Sequence, residues 1–427
     1  MSSAPFAHDI NKVEVWLEDQ SLGGSSLVGY LTRQYSRRGE TLQFEYVAGW
    51  LANETPVRAF ALDPQLPLYE GASIARAGAS ELTATFLDCS PDRWGKLLMK
   101  RREVIMAREQ GRKVRALRPW DYLIGVNDAS RMGALRLRDS TTGRYLDDHA
   151  LSAPPMTQLR ELEAIARRLE RDDMDDSDMD LTWVKQLIAP GASLGGARPK
   201  ASVQESDDSL WLAKFPSADD LYDVGRWEYI TYRLSLAAGI SMPAAKPLEL
   251  SNHGTTFAVQ RFDRTAHSRR AYASAFTLLD VEHSEASSYV DIAHAIEVVG
   301  ATHAIQHDLH QLFRRVAFNI LVGNRDDHLR NHGFLREHDG WRLAPAFDVN
   351  PNQDKDVHVL AISLDDTTPD TALLMETHDY YRLTRAQALA IIEEVRAAVA
   401  RWQQEAVRCN ASRTEIVAME SVIDPMR

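Results

Sequence analysis

A chain of 427 residues with 44% hydrophobic content is long enough to bury a large core and to divide into two or three domains. No apolar run approaches the roughly 20 residues that a bilayer-spanning helix needs, and residues 1–10 lack a basic stretch followed by an apolar one, so a cytoplasmic location is expected. The net charge of −12 argues against a surface built throughout for nucleic acid, and two cysteines, Cys89 and Cys409, are too few for a disulfide framework or a thiolate zinc site.

Near the start, Val13, Val15 and Leu17 alternate with polar residues, and residues 27–31 and 44–50 add short apolar segments between turns, which predicts a small antiparallel sheet. Ser90 or Asp92, with Pro91 in the first turn, can start a helix over 94–114. Residues 96–118 carry Lys or Arg at nine positions against Glu103 and Glu109. That stretch is expected to be a solvated helix face, with a DNA or protein contact as the alternative. A further β segment is expected near 132–137 and, after Pro154 and Pro155, a helix over 158–169. Asp176, Asp178 and Asp180 alternate as in a calcium-binding loop, but Leu181 stands where such a loop needs glycine, so a solvated linker is expected there.

Residues 193–200, Ser-Leu-Gly-Gly-Ala-Arg-Pro-Lys, form a glycine-containing loop opening into a strand. Small residues would let backbone N–H groups approach phosphate oxygens, and an ordinary hairpin connection would use the same residues. The return strand 210–216 sets Lys214 among apolar neighbours, where an unpaired ammonium is costly. Glu228, on a helix expected over 227–237, is either its partner or a surface glutamate. An apolar strand at 256–260 then runs into Gln260-Arg261-Phe262-Asp263-Arg264 as a hinge would, and beyond it the sequence is almost wholly helical in pattern.

In that region Leu309, Leu312, Phe313, Val316, Ala317, Ile320 and Leu321 fall at three- and four-residue steps, and Gly323 can end the helix they define. The loop after it places Asp326 five positions before Asn331, the spacing with which protein kinases set a hydroxyl-orienting carboxylate beside a magnesium-binding amide. An Asx-rich turn is the alternative. Downstream, Asp348 lies in the apolar segment 341–349, so three oxygen donors occur in kinase order. A metal nuclease built on Asp327, His328 and His332 would leave Lys214 and the glycine loop unexplained.

Taken in order, Ser-x-Gly-Gly-Ala-x-Pro-Lys, Lys-Phe-Pro, the Glu-Tyr helix, Arg-Phe-Asp-Arg, Asp-Asp-His-x-x-Asn and Phe-Asp-Val resemble the HipA family of serine/threonine kinase toxins. Residues 28–31, 44–50 and 86–88 resemble that family's leading subdomain. The resemblance implies an α+β, two-lobed, protein-kinase-like fold with a small β-rich N-terminal subdomain (1–118), an α/β N-lobe with phosphate loop and strand lysine (119–262) and an all-α C-lobe (263–427). It implies ATP and Mg2+, with Gly195, Gly196, Ala197, Arg198, Pro199 and Lys200 as the phosphate loop and Lys214 on the α- and β-phosphates, paired by Glu228. Gln260, Arg261 and Phe262 would meet adenine, and His328 and Phe347 would approach the nucleotide. Asn331 and Asp348 would hold the metal, and Asp326 would act on the acceptor hydroxyl. Ser193 matches a position autophosphorylated in members of the family.

The implied partners are a HipB-like helix-turn-helix antitoxin, DNA only through the antitoxin complex, and a protein substrate, which in some members is an aminoacyl-tRNA synthetase. An inactive kinase-fold module serving as co-repressor is the alternative. Two places depart from the best-known branch: Gln260 replaces a glutamate, and residues 272–279 lack its His-Gln-Glu-Asp type sequence.

Overall fold

Strand β1 (Lys12–Asp19) alternates buried residues with less buried ones, with Val13, Val15 and Leu17 facing the core, as the sequence pattern requires. It pairs antiparallel with β2 (Gly24–Ser36), which pairs with β3 (Gly39–Tyr46); β4 (Ala72–Ile74) and β5 (Leu135–Asp139) complete the order β4-β3-β2-β1-β5. The computed structural model describes residues 10–36, 39–76, 81–146, 153–170, 198–265, 268–424 and 426. Their contacts form two compact units, one of Met1–Ala218 with Asp263–Ala273 and one of Asp219–Phe262 with Ser274–Arg427. This division puts Lys214 in the first unit and Glu228 in the second, and differs from the three-part scheme expected from the motifs.

In the first unit, helix α1 (Arg93–Glu109) starts where Asp92 accepts a hydrogen bond from Gly95 N at 2.7 Å. It stops short of the expected 114 because Gly111 turns left-handed at φ +60° just beyond its end. Glu103, buried on α1, accepts from Arg112 Nη2 and from Arg115 N, both at 3.0 Å. Part of the basic stretch is therefore neutralised inside its own unit. Helix α2 (Leu159–Glu170) follows, and strands β6 (Lys200–Gln204) and β7 (Leu210–Lys214) form an antiparallel hairpin.

The second unit begins with helix α3 (Val224–Ala237), capped by Asp223, which also accepts from Thr255 N and Oγ1. Gly225 lets this helix lie against the chain at Thr255; a Cβ there would sit 1.9 Å from the Thr255 carbonyl oxygen. Strands β8 (Ala245–Leu248) and β9 (Thr256–Gln260) pair antiparallel. Helix α5 (Ile305–Val322) then packs against α4 (Tyr289–Val299) and α6 (Arg385–Val399). All seven apolar residues of the predicted stripe on α5 are fully buried. Each large one contributes about 1.5–3 kcal/mol relative to exposure. Among the described residues the C-terminal part is helical in the main and includes a hairpin of Gly333–Arg336 and Trp341–Leu343 within a three-stranded sheet. No helix among the described residues is long and apolar enough to cross a membrane.

Candidate active site

Helix α5 ends as its sequence predicts: Gly323 adopts φ +73° and its amide donates to Asn319 O. No other residue suits this corner, because a Cβ on Gly323 would meet Val422 within 2.7 Å as well as adopting a disfavoured φ. The chain leaves the cap as a loop braced from below. Asp327, wholly buried, accepts three hydrogen bonds on one oxygen, Oδ2: from Tyr289 Oη (2.8 Å) on α4, Asn319 Nδ2 (2.7 Å) on α5 and His332 Nε2 (2.8 Å). Asn324 Nδ2 extends the network to Asn319 Oδ1 at 3.1 Å. Burial alone would raise the Asp327 carboxyl, but His332 and the Tyr289 hydroxyl outweigh it and hold it below the usual carboxylate range. The same burial and the neighbouring carboxylate push the Tyr289 hydroxyl well above its ordinary value.

Above this floor Asp326 points outward, 57% exposed, with Lys355 Nζ 2.6 Å from its Oδ1. Residues 329–331 make a single 3-10 turn, and Asn331 N donates to His328 O at 2.8 Å. The Asn331 side chain is buried, yet its Oδ1 has no hydrogen-bond partner among the described residues, and neither has His328 Nδ1. A buried amide oxygen left unpaired is costly. It is also a hard donor of the kind that Mg2+ prefers. Asp348 adopts φ +57°, a strained conformation for a residue with a side chain.

Asn331, Asp327, His332, Arg315, Phe347 and Val349 line one small cavity of about 10 Å³. Its volume suits one water molecule, so it is the floor of the site and not a nucleotide pocket. Asn331 and the segment bearing Asp348 thus border a common space. Burial pulls the Arg315 guanidinium down to about 10, still charged at neutral pH, and its Nη2 donates to Ala344 O.

Residues 192–402 match the HipA-like C-terminal domain. By that match this stretch, just under half of the chain, is HipA-like. The chain's fold is similar to that of a chain in the solved Shewanella oneidensis MR-1 toxin–antitoxin complex of HipA, HipB and operator DNA. That likeness has a TM-score of 0.63 at 16% identity and covers 96% of this chain and 94% of the other. Two curated relatives are similar in sequence. A Haemophilus influenzae protein named "Putative kinase" is 26% identical over 195 residues, 40% of this chain and 56% of its own length. A Sinorhizobium fredii protein named "Putative kinase Y4dM" is 24% identical over 160 residues, 34% of this chain and 38% of its own length. The match therefore spans about half or less of either relative.

Within this HipA-like frame the expected site residues fall into two groups. Asp326, His328, Asn331, Phe347 and Asp348 belong to the second unit, as do Gln260, Arg261 and Phe262. The Phe262 and Phe347 rings lie 5.3 Å apart, so the hinge and the Asp348 segment do meet. The Gln260 amide is used by Ala244 O at 2.8 Å, and Glu228 is buried on α3. In the first unit, Lys214 ends β7 and is 7% exposed. Arg198 Nε donates to Phe215 O at 2.9 Å. Pro199 O accepts from Phe215 N at 2.9 Å.

Lys200 differs from expectation. Its ammonium lies 2.7 Å from Asp92 Oδ2, both side chains being almost fully buried, so in this structure it is paired internally and does not front a phosphate-binding surface. Lys200 and Lys214 are register partners, and Asp92 neutralises one of two ammonium groups on neighbouring strands. Ser193, Gly195, Gly196 and Ala197 lie outside the described residues.

Sequence reasoning missed Tyr289, Asn319 and Lys355, and considered Asp327 only for the nuclease reading that it set aside, not as the buried acceptor of the loop. A polar Asn319 inside an apolar helix was the available signal. Lys355 gave none, since it sits in a polar stretch without periodicity.

Proposed function

We propose that this protein is an ATP- and Mg2+-dependent serine/threonine protein kinase, the toxin of a toxin–antitoxin pair with a HipB-like helix-turn-helix antitoxin. The observation that carries the reading is the buried, unpaired Asn331 Oδ1 five residues after the outward Asp326 on one braced loop. The kinase names of the relatives and the HipA–HipB–DNA complex to which the fold is similar support it.

In this reading Asn331 and Asp348 hold magnesium, which when bound offsets phosphate charge. Lys214 and the backbone of residues 195–199 receive the phosphates; Gln260, Arg261 and Phe262 meet adenine, with His328 and Phe347 beside the nucleotide. Asp326 orients the acceptor hydroxyl and takes its proton as the acceptor oxygen bonds to the terminal phosphorus and the bond to the diphosphate breaks. The acceptor is a protein serine or threonine, for which aminoacyl-tRNA synthetases are the first class to try. Phosphorylation of Ser193 by the kinase itself would place added negative charge beside the triphosphate and silence the site. DNA is reached only through the antitoxin.

Incubating the purified protein with γ-labelled ATP, with and without magnesium, and mapping the labelled residue tests the reading. Magnesium-dependent label on Ser193 or on an added protein is expected. Operator binding with an antitoxin but no label in any condition would instead identify an inactive co-repressor.

A further inference from the structure

The pairing of Lys355 with Asp326 has no structural purpose that its surroundings reveal. The two side chains are 41% and 57% exposed, and an ion pair so open to solvent adds little to stability. Yet the segment that carries Lys355 is fastened to the loop with unusual completeness. Asn352 N donates to Gly323 O at 2.9 Å, and Asn352 Oδ1 accepts from the amides of Asp354 (3.0 Å) and Lys355 (2.9 Å). Arg325 Nη1 donates to Lys355 O at 2.6 Å, and Val359 N donates to Arg325 O at 3.2 Å. Both backbone groups of Lys355 are thus held, one of them by the residue preceding Asp326.

The loop's other cations are engaged elsewhere. Arg325 is 5% exposed with a guanidinium nitrogen on the Lys355 carbonyl, and Arg330 lies over the Phe276 ring at 3.8 Å. Lys355 is the one among these three whose charged atom meets the Asp326 carboxylate. A hydroxyl hydrogen-bonded to Asp326 would sit beside this ammonium, and so would the phosphoryl group transferred to it. A removable mask would need a segment free to leave, which the fixed backbone of Lys355 argues against.

We propose that Lys355 is a catalytic residue of this site: it fixes Asp326 through Oδ1 and places its ammonium on the phosphoryl group during transfer. The assignment rests on the kinase reading above. In the step, the acceptor oxygen–phosphorus bond forms, the phosphorus–oxygen bond to the diphosphate breaks and the hydroxyl proton passes to Asp326. The lysine keeps its proton and stabilises charge developing on the phosphoryl oxygens and the departing diphosphate.

The test compares the unaltered protein, Lys355→Met and Lys355→Arg in Mg-ATP affinity by calorimetry, Mg-ATP consumption rate and thermal midpoint. Lys355→Met should lower kcat about 100-fold, the scale for loss of one transition-state donor. Its affinity for Mg-ATP and its thermal midpoint should change little, and Lys355→Arg should recover at least a tenth of the rate. Consumption in Lys355→Met within about twofold of the unaltered rate, or above it, overturns the assignment and leaves the kinase reading standing. An equal loss of affinity and rate makes Lys355 a ground-state binding residue and also overturns it. If the unaltered protein neither binds nor consumes Mg-ATP, the kinase reading falls and the assignment falls with it.

Discussion

His332 Nε2 donates to Asp327 Oδ2 at 2.8 Å, and the two residues lie at opposite ends of the loop that carries Asn331. The bond closes the loop into a ring and turns the His332 imidazole edge-on to Tyr289, whose hydroxyl reaches the same carboxylate oxygen. Because that carboxylate is buried and ionised, each donor to it is a charge-assisted bond in a water-poor setting.

Removing one donor gives the mildest test of the ring. Tyr289→Phe keeps the ring volume and deletes the hydroxyl, so it should cost about 1.5–3 kcal/mol, the range for a hydrogen bond to a charged group. Urea denaturation should show a lower midpoint with an unchanged slope; a midpoint equal to that of the unaltered protein would mean that His332 and Asn319 suffice.

Asp326 and Asp348 should separate cleanly. Asp326→Asn is expected to abolish phosphoryl transfer while Mg-ATP still binds, whereas Asp348→Asn should also weaken magnesium-dependent binding. Calorimetry read beside label transfer distinguishes them, and transfer retained in either variant refutes the role given to that residue.

The corner at Gly323 should tolerate nothing larger. Gly323→Ala forces a side chain into a left-handed conformation, at a cost of order 1–3 kcal/mol, before any contact with Val422 is counted. A fall in thermal midpoint accompanied by a lower transfer rate is expected, since this corner aims Asp326. A midpoint that does not move would show that the helix end relaxes.

Acid sensitivity should be traceable to the first unit. Burial would raise the Asp128 carboxyl, but Arg269 and Arg136 outweigh it and hold it below the usual carboxylate range. A carboxyl depressed by folding contributes stability that is complete above its unfolded value, about 4, and is lost as pH falls through its folded value. Stability from this group should therefore be flat from pH 8 to about pH 5 and decline in stronger acid. Asp128→Asn should lose roughly 3–5 kcal/mol at neutral pH by stranding buried guanidinium groups. It should also show a shallower acid transition in urea titrations; an unchanged one would assign the acid loss elsewhere.

The elements that repeat at a fixed period were legible in the sequence. The stripe on α5 and the alternation in β1 followed from a periodic burial demand, and Gly323 from the φ its cap requires. Contacts that depend on topology were not. Tyr289 precedes Asp327 by 38 positions, and Asp92 precedes Lys200 by 108; no spacing rule links either pair. Lys200 illustrates the difference, since the local pattern suggested phosphate while the fold supplied a carboxylate from the cap of a distant helix. Lys355 entered the site through backbone hydrogen bonds, which side-chain chemistry does not announce.

Asp92 holds Gly95 N with one oxygen and the Lys200 ammonium with the other, while Trp94 Nε1 grips the Lys200 carbonyl. Fraying of the first turn of α1 therefore strips Lys200 of its carboxylate and its carbonyl of a donor, so opening at one segment weakens the other. The start of the strand at Lys200 is thus tied to the cap of a helix a hundred residues earlier in the chain.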